Sequence, residues 1–414
     1  MPMRSSRLPI TAAAGLAALA LAGCGPAATA AGTPSGGTAG AVSSAPAAVG
    51  SAASSAAARA SAPVPAPKSA AASSQPAGGP VPRGFAAESV TWVSASEGFV
   101  LGTAPCAKAP CTSVLRTTDR GAAWKGLPAP VVSLGSVHES TGTEVWGIRF
   151  ASPSHGFVFG SGLWETVSGG EHWAHVTGPA GRVVSLEISD GEVLAVTQSC
   201  SATGSCGTNG TLYRRALSGG PWRKWGAVNA APIATGYGVA AMLTGTHVLT
   251  TGNGGESVDA NSVPCVNPGT DAAAAVAVTG PESLALLCAG GAAAGSVAKT
   301  VYVSSDGGSQ WTKEGSPGSG GDPYGISGGT AARLVVAADS GASWLYDSAD
   351  GGRTWGTAYE KGDGGMGFND LGFTNPSEGS VIYAPVANDS NSLHDPGQLL
   401  LTANGGTTWK PVTW

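Results

Sequence analysis

The chain has 414 residues, of which 65 are Gly, 42% are apolar and only 11% are charged. This composition supplies enough apolar surface for a sizeable core with many turns, and it argues against a helix-rich architecture. All 26 acidic residues lie at or after Glu88, whereas only 16 of the 21 Lys and Arg do, so residues from Glu88 onward have a formal charge of −10. Such a surface disfavours nucleic acid and anionic lipid as ligands.

Residues 1–23 have the features of an export signal. Arg4 and Arg7 make a basic start, residues 10–21 form an apolar run too short to span a bilayer, and Leu21-Ala22-Gly23-Cys24 follows. This tetrapeptide resembles the lipobox of bacterial lipoproteins, which implies cleavage before Cys24 and attachment of lipid to its thiol. We therefore expect an exported protein anchored to the outer face of the cell membrane, in the cell envelope. The alternative is an ordinary secretory signal with an incidental Cys.

Residues 24–84 are predicted to form a disordered tether. The stretch from Gly25 to about Arg83 consists mainly of Ala, Ser, Pro, Gly and Thr, without acidic or aromatic residues, so it cannot bury a core. A flexible coil of roughly 60 residues has a root-mean-square reach of roughly 40 Å. The folded domain is predicted to cover residues 85–414.

One pattern, Ser/Thr-x-Asp/Asn-x-Gly-x-x-Trp, recurs along residues 85–414. Its polar third residue can bond nearby backbone N–H groups, its glycines supply positive φ, and its Trp opens a β-prone run, so each copy predicts a hairpin turn. Copies end at steps of 36 to 54 residues, which is typical of propeller blades with four short strands each. Close copies are Thr117–Trp124, Ser304–Trp311, Ser348–Trp355 and Thr402–Trp409, and looser ones are Thr166–Trp173, Arg215–Trp222 and Thr251–Val258. The residues that we assign to the structure of these turns are Asp119, Trp124, Trp173, Trp222, Asn253, Asp306, Trp311, Asp350, Trp355, Asn404 and Trp409.

The remaining strands are predicted from β-prone runs between turn residues. In chain order they are Val90–Val93, Gly98–Gly102 and Ser113–Thr117; Trp146–Phe150, Gly156–Gly160 and Leu163–Thr166; Val193–Val196 and Thr211–Arg214; Tyr237–Leu243 and Val248–Thr251; Leu284–Leu287 and Val301–Val303; Leu334–Ala337 and Ser343–Tyr346; and Leu371–Phe373, Ser380–Tyr383 and Gln398–Leu401. We predict an all-β fold, a single β-propeller of seven four-stranded antiparallel blades. If Tyr237–Val258 is only an inserted hairpin, the number is six.

The predicted ring starts with a first strand and ends with a fourth. It is therefore expected to close by packing of complete blades, with strand exchange through Phe85–Glu88 as the alternative.

Apart from Cys24, the cysteines fall into three local pairs. These are Cys106 with Cys111, Cys200 with Cys206, and Cys265 with Cys288. Exported proteins occupy an oxidising environment, and the first two pairs flank predicted hairpin turns, so we predict three disulfides. A zinc site is the competing interpretation, but the sequence has no Cys-x-x-Cys pair and no His at ligand spacing.

The turns resemble Asp-box repeats, also called bacterial neuraminidase repeats. A first-strand aromatic, five residues and then a Gly recur at Trp92 and Gly98, Phe150 and Gly156, and Phe373 and Gly379, which further resembles the propellers of photosystem II stability and assembly factors. The resemblance covers about Glu88–Trp414. It implies that the box lies between the third and fourth strands at the blade periphery, away from the axis where ligands usually bind.

The enzyme that such a resemblance suggests is a sialidase or another glycoside hydrolase. A sialidase needs three arginines around the substrate carboxylate, a Tyr activated by a Glu, and an Asp acid. The Arg-Ile/Leu-Pro motif occurs only at Arg7-Leu8-Pro9, inside the signal. Arg149 and Arg333 are the candidates for an axial site, and Tyr359-Glu360 are neighbours whose side chains should point to opposite faces of a strand. A catalytic carboxylate pair is left open.

Few residues suggest a metal. His172 and His175 flank Trp173-Ala174, and a spacing of three places them on opposite faces of a strand. Asp363, Asp370 and Asn388–Asn391 lie in polar loops, but none matches a dense calcium-binding loop. We predict no metal, no cofactor and no catalytic residue.

The sequence favours a monomeric, non-catalytic binding or scaffold module for a protein or glycan partner at the axial face. The first alternative is the sialidase-like glycoside hydrolase. The second, by analogy alone, is an assembly factor for a membrane protein complex.

Overall fold

The computed structural model describes residues 78–135, 142–200, 206–265, 272–293, 295–364, 367–383 and 397–414. These ranges contain β-strands and no helix, and so no helix that could cross a bilayer. The strands form seven four-stranded antiparallel sheets, in each of which consecutive strands are neighbours. The predicted seven-bladed propeller is confirmed, and the alternative of six blades is wrong.

The strands of blades 1 to 4 are, in chain order, β1 Ala86–Trp92, β2 Gly98–Thr103, β3 Thr112–Thr117, β4 Lys125–Leu127, β5 Val145–Phe150, β6 Gly156–Gly160, β7 Leu163–Thr166, β8 Ala174–His175, β9 Arg182–Ser189, β10 Glu192–Gln198, β11 Asn209–Ala216, β12 Arg223–Asn229, β13 Ala234–Gly236, β14 Val239–Thr244, β15 His247–Thr251 and β16 Asp259–Ser262. The strands of blades 5 to 7 are β17 Ala272–Val278, β18 Leu284–Ala293, β19 Ser296–Ser304, β20 Thr312–Lys313, β21 Asp322–Thr330, β22 Arg333–Asp339, β23 Gly341–Ser348, β24 Gly356–Gly364, β25 Phe368–Phe373, β26 Gly379–Tyr383, β27 Gln398–Thr402 and β28 Lys410–Pro411. Each repeated turn therefore joins the third and fourth strands of a blade.

The spacing of first-strand aromatics and glycines has a direct cause in the sheet register. Phe150 of β5 pairs with Gly156 of β6, and a Cβ on Gly156 would lie 2.5 Å from Cδ2 of the Phe150 ring. Trp92 likewise pairs with Gly98, and a Cβ on Gly98 would lie 2.7 Å from Cε3 of the Trp92 ring. The ring occupies the space that a side chain would fill, so only glycine fits there.

The core consists of seven clusters, one at each interface between neighbouring blades. Between blades 1 and 2, for example, Phe99 and Leu101 pack against Ile148 and Val158, all of them buried. The last residue of each repeated turn, usually Trp, packs into the interface between its own blade and the preceding one. From blade 2 to blade 7 these residues are Trp173, Trp222, Val258, Trp311, Trp355 and Trp409. Trp124 of blade 1 packs where blade 7 meets blade 1.

The ring closes by packing of blade 7 against blade 1. Ala86 and Ala87 pair with β2 of their own blade, so the strand-exchange alternative is wrong. Across the junction the Ala87 backbone N–H donates to the Gly397 carbonyl at 2.7 Å, and Phe85 meets Trp414 edge to face at 5.0 Å. Before the first strand, the Gly79 backbone pairs with Gly126 of blade 1.

The two ends of the propeller differ in their connections. Because the strands alternate in direction, the links between strands 1 and 2 and between strands 3 and 4 share one end, which we call the turn face. Links between strands 2 and 3, and from strand 4 to the next blade, share the other end, the loop face. Three disulfides, Cys106–Cys111, Cys200–Cys206 and Cys265–Cys288, each include a residue of a loop-face connection, and the predicted pairing is confirmed.

Candidate binding site

Arg149 lies at the centre of a polar cluster on the propeller axis. Its Nε donates to Glu187 Oε1 and its Nη2 to Asp370 Oδ1, both at 2.6 Å. Ser89 donates through Oγ to Asp370 Oδ2 at 2.5 Å and accepts the Ile148 backbone N–H at 3.1 Å. We call Ser89, Arg149, Glu187 and Asp370 the axial cluster; its members come from the first strands of blades 1, 2, 3 and 7.

Local backbone features aim these side chains at one another. Asp370 has a φ of 53°, in the left-handed region, and lies where the register of β25 shifts between Asn369 and Gly372. Asp tolerates this conformation better than most residues because its short polar side chain bonds locally. The bulge turns the carboxylate towards blade 1, where it also accepts the Val90 backbone N–H at 2.9 Å.

The one guanidinium of the axial cluster pairs with both of its carboxylates. Burial disfavours the charged guanidinium, but the carboxylates of Asp370 and Glu187 outweigh burial and raise the pKa of Arg149. Burial also raises the pKa of Glu187, and Arg149 offsets part of that effect. A guanidinium held between two carboxylates at this distance ties four blades together and leaves few free donors for a ligand.

Arg333 does not join Arg149, contrary to the sequence prediction of an axial position. It begins β22, the second strand of blade 6, and its Nη1 donates to Thr407 Oγ1 in the repeated turn of blade 7 at 3.1 Å. The axial cluster thus holds one arginine, where a sialidase site needs three.

The other residues considered for catalysis or metal binding lie apart from the axis. Tyr359 and Glu360 lie on β24, the outer strand of blade 6, where Tyr359 packs against Tyr383 and Glu360 is exposed, as their opposite faces predict. His172 and His175 are both exposed. Within the described ranges, no three His, Cys, Asp or Glu side chains are placed to hold a metal ion. Cys24 and Asn388–Asn391 lie outside the described residues, as does the side chain of Asp363.

Six of the seven repeated turns share one hydrogen-bond pattern. In the turn of blade 6, Ser348 Oγ accepts the Gly352 backbone N–H at 2.8 Å, and Asp350 Oδ1 accepts the Thr354 N–H at 2.9 Å. The Thr354 backbone N–H and hydroxyl, which both donate to the Asp350 carboxylate, lower the pKa of Asp350 to about 2. Equivalent pairs of bonds hold the turns that begin at Thr117, Thr166, Thr251, Ser304 and Thr402.

The exception is the turn at Arg215–Trp222. Arg215 and Leu217 stand at the two accepting positions, and neither of these side chains has a hydrogen-bond acceptor. Trp222 keeps its place at the interface with blade 2 nevertheless. The side chains at the two accepting positions of the other six turns bond within their own turns, so these positions offer few free groups to a ligand.

Sequence reasoning did not single out Ser89 and Glu187. A signal was present in Glu187, because it is a charged residue between the apolar Leu186 and Ile188 in the first strand of a blade. Ser89 carried no comparable signal, since a serine in a strand is common.

Comparison with solved structures supports the fold. One solved structure, described as YCF48 bound to D1 peptide, has a TM-score of 0.50 and 16% identity, over 77% of this chain and 93% of that chain. YCF48 from Cyanidioschyzon merolae has a TM-score of 0.49 and 14% identity, over 78% of this chain and 97% of that chain. A GH74 enzyme of Niastella koreensis has a TM-score of 0.28 and 12% identity, over 79% of this chain and 71% of that chain.

No protein-family model matches the sequence, and no curated protein sequence matches it. The TM-scores of the second and third solved structures are too low to carry an argument. At 16% identity, the first likeness shows the β-propeller fold and no more.

Proposed function

We propose that the propeller is a non-catalytic module that binds a protein partner on its loop face. The observation that carries the proposal is the contrast between the two faces. Turn-face links are short and repetitive, such as residues 93–97 and 118–124 in blade 1. Loop-face links vary in length from residue 340 alone in blade 6 to residues 128–144 between blades 1 and 2. Variable loops held on a rigid scaffold are where binding residues concentrate, and disulfides restrict the loops further.

The choice of a protein over a glycan draws support from the similar fold described as YCF48 bound to D1 peptide. That description concerns the other protein, and we carry only the kind of ligand to this protein, as part of the proposal. An assembly role at a membrane protein complex would be one form of such binding.

A glycoside hydrolase is the second candidate, because the axis holds two carboxylates. Burial raises the pKa of Glu187, as a general acid requires, while Asp370 could act as its partner. Against this role, Arg149 bonds both carboxylates and occupies the space between them.

We further propose that the protein is exported and anchored through Cys24 to the outer face of the cell membrane. Support comes from the basic, apolar and Leu-Ala-Gly-Cys segments of residues 1–24. Metabolic labelling with a radioactive fatty acid tests this: the full-length protein should carry label, and C24A should not. Equal labelling of C24A would contradict the anchor.

A capture experiment tests the binding function. The full-length protein is cross-linked in envelope extracts, and the captured partner is purified and its affinity measured. Removing one loop-face disulfide with the double variant C106S/C111S should weaken binding at least about tenfold, which corresponds to about 1.4 kcal/mol. T407A, on the turn face, is the control and should bind like the wild type. The reverse pattern would contradict a loop-face site.

The same preparation is assayed for hydrolysis of sialosides and of plant and bacterial polysaccharides. We expect no turnover above background. Turnover by the wild type that disappears in R149M or E187Q would contradict the non-catalytic assignment and favour the second candidate.

A further inference from the structure

Arg182 is a partly buried arginine without a carboxylate partner. It is the first residue of β9, at the loop face, and its Nη2 donates to Gln198 Oε1 at 2.8 Å. Its Nε is buried and has no hydrogen-bond acceptor. Burial lowers the pKa of Arg182, and among the described residues no ion pair includes it.

Other buried arginines of the propeller differ in this respect. Arg116 pairs with Glu97 at 2.6 Å, and Arg215 pairs with Glu165 at 3.0 Å. A buried positive charge is unfavourable unless an opposite charge lies close to it. Among the described residues, Arg182 therefore lacks the carboxylate partner that Arg116 and Arg215 have.

A second unpaired donor lies beside it. Trp146 of β5 is 7% exposed, and its indole Nε1–H is buried without an acceptor. The Arg182 guanidinium lies over the Trp146 ring, with Cζ 5.7 Å from the ring centre, which favours a cation–π contact. Two neighbouring donors without acceptors in the first strands of blades 2 and 3 are unusual in a folded protein.

The Arg182 guanidinium is positioned by Gln198, which is itself bonded to a loop that a disulfide constrains. Gln198, its bonding partner, donates in turn through Nε2 to the Gly207 carbonyl, next to Cys206 of the Cys200–Cys206 disulfide. Gly181, with a φ of +93°, lets the backbone approach Gln198 closely; a Cβ there would lie 2.9 Å from the Gln198 carbonyl oxygen. A donor fixed before binding loses little conformational freedom when a ligand arrives.

We propose that Arg182 and Trp146 form a subsite that receives a carboxylate of the protein partner. The inference rests on the proposed binding function and adds the chemistry of one contact. A guanidinium matches a carboxylate with parallel N–H donors, and the indole N–H can supply another. On a domain of formal charge −10, a cation on the loop face without a carboxylate partner would select the acidic group of a partner. The carboxylate belongs to an Asp or Glu residue or to the C-terminus of the partner.

The test uses the full-length protein and peptides. Random dodecapeptides displayed on phage are selected for binding, and the tightest one is synthesised with each Asp and Glu replaced by Asn or Gln, and with a free or an amidated C-terminus. We expect one of these changes to weaken binding at least about tenfold, which also identifies the source of the carboxylate. R182Q should weaken the unmodified peptide equally, and the two losses should not add, because they remove one interaction.

Three further measurements separate a contact from a structural role. R182K should restore part of the affinity, since it keeps the charge without the planar fork. R333Q removes an arginine on the turn face and should bind like the wild type. The indole Nε1–H resonance that W146F removes should move downfield when the wild type binds the peptide. Melting temperatures of all variants establish that they are folded.

The outcomes distinguish the two proposals. Peptide binding that R182Q leaves unchanged, or selected peptides that need no carboxylate, overturn the subsite while the binding function stands. If the wild type selects no peptide, both proposals fail.

Discussion

Lys299 of β19 is buried, with 1% of its surface exposed, and backbone carbonyls accept the hydrogen bonds of its ammonium. Its Nζ donates to the carbonyls of Val297, Ser319, Gly320 and Gly321 at 2.7 to 3.2 Å. Three of these carbonyls belong to the glycine-rich link between blades 5 and 6. The ammonium therefore organises a loop-face connection, in the same way that Arg149 organises the axis.

Lys299 should make stability depend on pH under alkaline conditions. Burial lowers its pKa to about 8, whereas an unfolded lysine has a pKa of about 10.4. Between these values the unfolded state binds more protons than the folded one, so this residue makes the free energy of unfolding rise with pH from about 8 to 10. Urea unfolding at several pH values measures it: the stability of the wild type relative to K299M should increase across this window.

The control is K313M, which removes an exposed lysine of β20. Its stability relative to the wild type should stay constant over the same pH range. If the curves of K299M and the wild type are also parallel, Lys299 does not keep a lowered pKa in the folded protein.

At the scale of the element, the Trp residues of the repeated turns form their hydrogen bonds in two ways. Three indole N–H groups donate to carbonyls at or just beyond the end of the fourth strand of the preceding blade, at 3.0 to 3.1 Å: Trp173 to Pro128, Trp222 to Thr177 and Trp311 to Ser262. The other three, Trp124, Trp355 and Trp409, donate to a glycine carbonyl of their own turn. In both arrangements the ring packs at an interface between blades.

Replacing Trp355 by Ala should weaken the interface between blades 5 and 6. The ring is partly buried against the cluster that contains Leu287, Val301 and Leu334. Because a fully buried aromatic costs about 3 to 5 kcal/mol on truncation, we expect about 2 to 3 kcal/mol here, measured by urea unfolding. V167A, at an exposed position of the blade 2 turn, should change stability by less than about 0.5 kcal/mol. A loss below about 1 kcal/mol in W355A would contradict a packing role.

At the scale of the whole propeller, the junction of blades 7 and 1 must hold without a covalent link between neighbouring strands. Trp414 contributes to it by meeting Phe85 at 5.0 Å and Trp124 at 5.4 Å, both edge to face. Residues from both blades, including Val100, Leu115, Ile382 and Leu399, fill the cluster beneath. Closure thus depends on side-chain packing at this interface together with the hydrogen bonds that cross it, such as those from Ala87 to Gly397 and from Ser89 to Asp370.

W414A should therefore loosen the ring at this junction. Hydrogen exchange measured by mass spectrometry should show faster exchange in blades 1 and 7 than in the wild type, with blades 3 to 5 unchanged, because local opening follows the loss of packing. W225A is a matched control: Trp225 and Trp414 are 38% and 37% exposed, but Trp225 lies on β12 of blade 3. Equal exchange in blades 1 and 7 for both variants would contradict the closing role of Trp414.

The sequence by itself determined the blades and their local chemistry. The repeated turns at 36 to 54 residue steps predicted seven four-stranded units, because a turn pattern and the strands beside it are read within one short segment. The Trp92–Gly98 type of spacing and the three local cysteine pairs are likewise short-range features. Even the weak fourth copy, Thr251–Val258, forms the same turn, with Val258 in the Trp position.

Only the tertiary structure decided which side chains meet at the axis and on the loop face. Arg149 and Asp370 are 221 residues apart, and Arg149 and Glu187 are 38 apart, so no local spacing relates them. Sequence alone placed Arg333 beside Arg149 and passed over Glu187, Trp146 and Arg182. The physical reason is that closure of the ring brings the first strands of separate blades together. The burial of a residue and its charged neighbours are established only when the ring closes. These two properties determine whether the residue stabilises the fold or is available to bind a ligand.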